Sequence, residues 1–488
     1  MTEPGQQPLS RREARESHQP EGKSGIAAVI ARHPRIWMAS AGAVAFLTLA
    51  TGAFALGVAN AKPATAQSPT GEIVEIPERA VPVDAAAATR LRTCSVAALT
   101  EDPALKSLRA AVVDSTSGDV LLDIEGSKPA RTASVLKVLT AAAALIKLGP
   151  DYRLATRVFE GSQPGSIVLV GGGDPTLTRL TTGESVYTGA PRLSDLASQA
   201  VAAYADANPD TPITSIVVDA SYWNADDNWV ESWSRDDQVN GYQSEVTALQ
   251  VDGDRADPTQ QVSSRGTDPV GRAGKAFAEA VASASGQPLA TVTTGTVTST
   301  TKLAEVTSQP VSALVHKMLI SSDGSIAENL ARVISVEMGL GGGSKSVGQA
   351  IAGAIGTLGL DTSDLTIIDG SGLSKKNAIP ALFMAEIMGL VREGTAPLNH
   401  VYNSLSVAGE TGGLRSRFLT SDAKGKVVAK TGHIGSATTL SGIIEAADGT
   451  VLSFAFYAVG EGITPDAVGA IDALVDGVYQ CGDNLAFS

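Results

Sequence analysis

The feature that most constrains the fold is a long uncharged segment near the start of the chain. Residues 36–61 contain no charged side chain, and Arg32 and Arg35 lie directly before them. A bilayer is crossed by about 20 apolar residues. The arginines predict that residues 1–35 form a cytoplasmic leader and that the rest lies outside the cell. We predict either a single-pass protein of the cell membrane with an extracytoplasmic body, or a protein secreted after cleavage near Ala61.

The segment after residue 61 separates this apolar run from the body of the protein. Residues 62–84 are rich in Pro, Ala and Thr, which indicates an extended linker. The two cysteines of the chain, Cys94 and Cys481, lie in the first and last predicted elements of the body. In an oxidising compartment such a pair suggests a disulfide, which requires adjacent ends, although two buried free thiols are the alternative.

Length and charge narrow the classes of function. A chain of 488 residues predicts more than one domain. The net charge is −14 and the pI about 4.9, so we predict no nucleic-acid partner. The five histidines have no metal-ligand spacing, and we predict neither a metal site nor a cofactor.

Strand patterns are concentrated at the two ends of the body. Residues 108–126 predict a hairpin around the turn "STSG", and residues 425–460 predict three successive strands. Helical spacing occurs at 270–285, 311–322 and 325–339. If the hairpin joins the last strands, both ends form one antiparallel sheet and the middle is an insertion.

The pattern therefore predicts an α/β (α+β) fold in which an antiparallel sheet is flanked by helices. Residues 85–150 and 300–488 would form one domain, and residues 151–299 an inserted domain.

The clearest chemical signal is Ser134 followed by Lys137 at the start of an apolar helix within residues 131–149. By itself this spacing carries little weight, because it occurs by chance, and an N-cap serine with a surface lysine explains it. The alternative is a nucleophile and its base. A serine hydroxyl needs an adjacent base near neutral pH, and residues three apart on a helix share one face. Burial lowers the pKa of a lysine, which allows it to accept a proton.

Other segments decide between these interpretations. "SSDGSIAENLAR" at 321–332 and "AKTGHIGSA" at 429–437 follow in the order S-x-x-K, S-D-N, K-T-G of penicillin-interacting serine enzymes. From about residue 85 to the C-terminus the chain resembles the D-alanyl-D-alanine carboxypeptidase/endopeptidase family of type-4, low-molecular-mass penicillin-binding proteins. Seven segments carry the resemblance, in this order: "TASVLKVLTAAAAL", "GGGDPTL", "VVDASYW", "SSDGSIAENL", "DGSGLSKKN", "VAGETGGLRSRF" and "AKTG". Richness in Ala, Gly, Val and Thr suits an actinobacterial source.

The resemblance implies a penicillin-binding/β-lactamase-like transpeptidase domain, with the inserted domain between the first and second motifs. It also implies the catalytic roles. Ser134 would be the nucleophile and Lys137 its base, and Ser322 would relay a proton to the leaving group. Lys430 and Thr431 would hold the terminal carboxylate of the substrate.

Three further residues complete the site that the resemblance implies. Gly432 lets the strand edge approach the substrate closely. The backbone N–H of His433 would be the second donor to the oxyanion, beside the first turn of the Ser134 helix. Gly324 departs from the family pattern, because an asparagine there would donate to the substrate and contact Lys137.

The resulting hypothesis is an exported serine D,D-carboxypeptidase, with D,D-endopeptidase action possible. It would cleave the D-Ala-D-Ala bond of peptidoglycan stem peptides through an acyl-enzyme at Ser134, and β-lactams would be covalent inhibitors there. One alternative is a catalytically impaired homologue that acts as a cell-wall binding scaffold, for which Gly324 is the support. A β-lactamase ranks last, because no extra general base for deacylation is evident.

Overall fold

The computed structural model describes residues 91–224 and 227–486, which belong to one compact unit beginning at Ala88. The leader, the apolar segment and the linker predicted over residues 1–84 lie outside the described residues. Within the described ranges no helix is both long and apolar enough to cross a bilayer. The longest helix there has 17 residues, and a span requires about 20. The predicted location at the cell membrane is contradicted by this finding.

The described residues form the following elements. The strands are β1 (Ser107–Asp114), β2 (Val120–Ile124), β3 (Ala155–Glu160), β4 (Ser166–Val170), β5 (Ser215–Asp219), β6 (Thr291–Thr294), β7 (Lys302–Thr307), β8 (Ser406–Val407), β9 (Val427–Ile434), β10 (Ala437–Glu445) and β11 (Val451–Val459). The helices are α1 (Ala97–Thr100), α2 (Lys137–Lys147), α3 (Leu193–Ala207), α4 (Asp236–Val239), α5 (Pro269–Ser285), α6 (Val311–Ser321), α7 (Gly324–Glu337), α8 (Ser344–Gly356), α9 (Ala381–Glu393), α10 (Asn399–Tyr402) and α11 (Asp466–Cys481).

The hairpin and the C-terminal strands share one antiparallel sheet, as the sequence predicts. Its order is β2-β1-β11-β10-β9-β8, and all neighbours are antiparallel. The hairpin turns where the Asp114 carboxylate accepts the backbone N–H groups of Thr116 and Ser117, at 2.7 and 3.1 Å. Gly118 then takes a positive φ of 78°, which glycine adopts without strain.

Both faces of this sheet are buried. In β1, Ala111 and Val113 belong to one apolar cluster, whereas Ala110 and Val112 belong to the other. The alternation follows from the two-residue period of a strand. Helix α9 packs on the first face together with the bundle formed by α2, α6, α7 and α8, and α11 packs on the second face. The predicted antiparallel sheet flanked by helices is confirmed.

Residues between the first two motifs build a second, mixed sheet of order β6-β5-β4-β3-β7. Strands β4, β5 and β6 run parallel, so each pair needs a crossover, and helices α3 and α5 supply them. Both helices pack on the sheet through their apolar faces, for example with Phe277 and Leu196 fully buried. Helix α5 occupies residues 269–285, against a predicted 270–285.

The ends of the described body are adjacent. Cys94 and Cys481 form a disulfide with an S–S distance of 1.95 Å and a Cα–Cα distance of 5.4 Å. Backbone hydrogen bonds reinforce it: Cys94 N–H donates to the Asn484 carbonyl at 3.0 Å, and Ala486 N–H donates to the Cys94 carbonyl at 2.7 Å. The segment before β1 is thereby tied to the end of α11.

Candidate active site

Ser134 lies in a short 3₁₀ turn, Ala133–Leu136, and Lys137 is the first residue of α2. The sequence predicts a continuous helix through both residues. The structure differs because Ala133 takes a positive φ of 45° and the chain tightens before the α-helix begins. The carbonyl of Ala133 packs so closely on Gly372 that this glycine has no room for a Cβ. The loop around Gly372 therefore supports the turn that carries Ser134.

The Lys137 ammonium group is buried beside the Ser134 hydroxyl. Its Nζ donates to Ser134 Oγ at 3.0 Å and to the Ser371 carbonyl oxygen at 2.6 Å. The residue is 2% exposed, and burial lowers its pKa to about 8, against the opposing pull of the carboxylates of Glu328, Asp369 and Asp323. A lysine with this pKa is neutral in roughly a tenth of the molecules at pH 7. This geometry and pKa fit a base that removes the hydroxyl proton.

The second motif lies where α6 ends and α7 begins. Ser322 takes the left-handed conformation, with a φ of 55°, and its Oγ accepts a hydrogen bond from Lys430 Nζ at 3.0 Å. Asp323 is the N-cap of α7 and accepts the Ile326 N–H at 3.0 Å. The sharp left-handed turn directs Ser322 to the lysine of the third motif.

Asp323 is also half of a buried ion pair with the intervening region. Its Oδ2 accepts from Arg255 Nη2 at 2.8 Å and from the Tyr187 hydroxyl at 3.2 Å, and both charged side chains are 1% exposed. Burial alone would raise the pKa of Asp323, but Arg255 and Arg265 outweigh it and hold the pKa well below its usual range. The second motif is thus fixed by residues far from it in sequence.

The third motif lies on β9, next to Ser134. Lys430 is 1% exposed, and burial together with the charge of Lys137 lowers its pKa well below the usual value. A Cβ on Gly432 would be 2.9 Å from the Ser134 backbone nitrogen and in collision with Thr439 Oγ1. Glycine is therefore required for this strand to approach the turn of Ser134. The His433 side chain is exposed, and its Nδ1 lies 3.0 Å from Thr438 Oγ1.

A cavity of about 910 Å³ joins the three motifs. Of the predicted site residues, Lys430 does not line it and instead lies within hydrogen-bond distance of Ser322. The predicted residues that line the cavity are Ser134, Lys137, Ser322, Gly324, Thr431, Gly432 and His433. Their roles remain predictions, but the structure brings their side chains and backbones to one site.

Two buried carboxylates that are not among the predicted site residues, Glu328 and Asp369, organise this site. Glu328 on α7 accepts the N–H groups of Gly370 and Ser371, at 3.2 and 2.7 Å, so it orients the carbonyl that accepts from Lys137. Burial and the charge of Asp369 raise the pKa of Glu328 to about 7. Asp369 accepts from Gly372 N–H at 2.8 Å and from three further donors, Trp233 Nε1, Ser374 N and Asn377 Nδ2. In the sequence Glu328 shares one stripe of the helix with Ser325, Arg332 and Ser335, which is typical of a solvated polar face, so no sequence signal distinguishes it.

Comparison with known proteins agrees with the geometry. A profile described as the D-Ala-D-Ala carboxypeptidase 3 (S13) family matches residues 92–267 and 255–478. The chain belongs to this family. It is 34% identical over 412 residues to carboxypeptidase DacB of Mycolicibacterium smegmatis, covering 82% of this chain and 87% of the relative. It is 28% identical over 447 residues to a D-alanyl-D-alanine carboxypeptidase of an Actinomadura species, covering 74% and 79%.

Solved structures give the same fold. Penicillin binding protein 4 (DacB) of Haemophilus influenzae superposes with a TM-score of 0.62 at 18% identity, over 76% of this chain and 95% of that protein. At this identity the likeness concerns the fold alone. The predicted fold class, the predicted family and the predicted enzyme class, a serine-type D-Ala-D-Ala carboxypeptidase, are confirmed.

Proposed function

We propose that this chain is an exported D,D-carboxypeptidase that cleaves the D-Ala-D-Ala bond of peptidoglycan stem peptides through an acyl-enzyme at Ser134. The observation that carries the proposal is the buried pair of Ser134 Oγ and Lys137 Nζ, 3.0 Å apart, in which burial lowers the pKa of the lysine to about 8. The names of the relatives, carboxypeptidase and D-alanyl-D-alanine carboxypeptidase, support the substrate class.

The first half of the reaction is acylation. Neutral Lys137 takes the proton of Ser134 as the hydroxyl oxygen attacks the carbonyl carbon between the two D-alanines. The oxyanion that forms receives hydrogen bonds from the backbone N–H groups of Ser134 and His433. When the tetrahedral intermediate collapses, the C–N bond breaks, and the proton reaches the departing D-alanine amine through Ser322.

In the second half, water attacks the acyl-enzyme. One of its protons returns to Ser134 as the ester C–O bond breaks, and the other is released to solvent as the new carboxyl group of the shortened peptide ionises. Cross-link cleavage by the same steps differs only in the amine that departs, so endopeptidase action is included in the proposal. A β-lactam amide acylates Ser134 in the same way, since it presents the same reacting carbonyl.

The two buried lysines of the site, Lys137 and Lys430, have different roles. Burial disfavours a charge on either lysine, and the charge of Lys137 further disfavours a charge on Lys430, so the free site favours a reduced positive charge. The terminal carboxylate of the substrate, held by Thr431 and Lys430, supplies a negative charge that favours protonation of Lys430. The positive charge on Lys430 in turn favours the neutral form of Lys137, which is the form that acts as the base.

Export is the other component of the proposal. A disulfide persists in oxidising compartments, and the Cys94–Cys481 bond supports an extracytoplasmic body. The substrate also lies outside the cytoplasm.

The test uses the full chain, a fluorescent penicillin and a D-alanine release assay on a stem pentapeptide. We expect labelling and release in the wild type and neither in Ser134→Ala. Ser285→Ala is the matched control, because its hydroxyl donates within α5 to the Val281 carbonyl and the residue does not line the cavity. Full labelling of Ser134→Ala would exclude Ser134 as the nucleophile, and a labelled wild type that releases no D-alanine would exclude the peptidase.

A further inference from the structure

Gly324 leaves the second motif without a side chain at its third position, yet the space beside it is filled. A Cβ on Gly324 would lie 2.5 Å from Gln243 Oε1 and 3.2 Å from the Tyr242 carbonyl oxygen. A real Cβ essentially never comes closer than 3.0 Å to a heavy atom outside its own residue and its chain neighbours. The carboxamide of Gln243 therefore occupies the room that a side chain at 324 would need.

Gln243 is held in this position by its own segment. The backbone N–H groups of Tyr242 and Gln243 both donate to the Asp237 carbonyl, at 2.8 and 3.2 Å. Ser244 Oγ lies 3.4 Å from Ser325 Oγ in the first turn of α7, which docks the segment on the second motif. Gln243 is 1% exposed, so its side chain has one well-defined place.

One end of this carboxamide is satisfied and the other is not. Nε2 donates to the Ser244 carbonyl at 3.1 Å. Among the residues that the structure describes, Oε1 is buried and has no hydrogen-bond partner. Other buried side-chain atoms of the described residues also lack a partner, but Gln243 is the only one of those residues that lines the active-site cavity. Buried polar atoms are normally paired, and a ligand atom in the cavity can supply the missing partner.

We infer that Gln243 is a substrate-binding residue that replaces the missing side chain at position 324. Its carboxamide oxygen accepts a hydrogen bond from a backbone N–H of the peptide bound next to Ser134. The inference rests on the proposed function, because it assigns the contact to the same peptide substrate. It also removes the reason to regard Gly324 as a sign of an impaired enzyme: the polar group comes from the intervening region instead of from the motif.

The test compares four chains for the rate of acylation by a fluorescent penicillin and for kcat/KM of D-alanine release. They are the wild type, Gln243→Met, Gln243→Ala and the double variant Gln243→Ala/Gly324→Asn. Methionine keeps the length and volume of glutamine but has no amide. Loss of one hydrogen bond predicts that both single variants fall by about tenfold. Gln260→Met, at an exposed position, is the matched control and should stay within about twofold of wild type.

Recovery of activity in the double variant is the most stringent test of the inference. Truncation of Gln243 removes the contact at 2.5 Å, and the Tyr242 carbonyl oxygen at 3.2 Å needs to shift by only a few tenths of an ångström to admit a Cβ at 324. An asparagine there would supply a carboxamide to the same part of the cavity, so activity should return to within about threefold of wild type. Thermal unfolding of each variant separates loss of contact from loss of fold.

Three results would overturn the inference. The first is a wild-type rate in Gln243→Met, which would show a packing role at most. The second is a double variant no better than Gln243→Ala. The third is a wild-type chain that is neither labelled nor able to release D-alanine, which would overturn the proposed function as well, whereas the first two leave that function intact.

Discussion

Acylation of Ser134 should depend on pH through Lys137, and the structure sets the magnitude. Burial lowers the pKa of Lys137 from an ordinary value of 10.5 to about 8. Only the neutral amine accepts a proton, so the rate should rise with pH through the pKa of Lys137, and loss of the proton from buried Lys430, whose pKa is also lowered, should reduce the rate again at higher pH. At pH 7 roughly a tenth of the molecules hold a neutral Lys137, about 300-fold more than for an unperturbed lysine. From pH 7 to pH 9 the acylation rate should therefore rise by nearly tenfold.

Glu328→Gln tests the electrostatic origin of this profile. Glu328 is ionised above its own pKa of about 7, and its negative charge favours the protonated form of Lys137. Removing that charge should lower the pKa of Lys137 further and move the midpoint of the profile below pH 8. The glutamine oxygen can still accept the Ser371 N–H, whereas the amide nitrogen would face the Gly370 N–H, so thermal unfolding of the variant checks that the loop stays in place. Glu337→Gln is the matched control at the other end of α7, and its midpoint should not move.

The assay is the second-order rate of acylation by a fluorescent penicillin, measured from pH 6 to pH 10. A β-lactam carboxylate stays ionised throughout this range, so the titration belongs to the enzyme. A wild-type midpoint near pH 10.5 would refute the buried-lysine base. A midpoint that rises in Glu328→Gln would refute the electrostatic argument, since the sign would be reversed.

Two further predictions concern the packing around the motifs. Gly432→Ala would place a Cβ 2.9 Å from the Ser134 nitrogen and against Thr439. Acylation should therefore fall by at least about 100-fold while the fold is retained. A variant labelled at the wild-type rate would contradict the close approach of the strand to Ser134. Arg255→Met would leave the buried Asp323 carboxylate without its charged partner, so the free energy of unfolding in urea should fall by about 3–5 kcal/mol. Arg157→Met, which breaks the more exposed pair with Glu305, should cost less than about 1 kcal/mol, and equal losses in the two variants would contradict the role of burial.

The sequence alone determined the local secondary structure and the types of residue in the catalytic motifs. The hairpin at 108–126, the strands at 425–460 and helices α5, α6 and α7 follow from the period of their apolar residues, which is a property of neighbours along the chain. The same holds for Ser134 and Lys137, since residues three apart remain close in any helical turn. Motif order, together with these residues, was enough to predict the family and the enzyme class.

The tertiary structure decided which distant residues complete the site. Gln243 fills the space beside Gly324, Glu328 orients the Ser371 carbonyl, and Arg255 pairs with Asp323. None of these partners has a fixed spacing, because each contact depends on how the intervening segments fold back onto α7. The sequence showed an asparagine missing from the second motif. Only the packing of the chain showed a carboxamide in the space beside it.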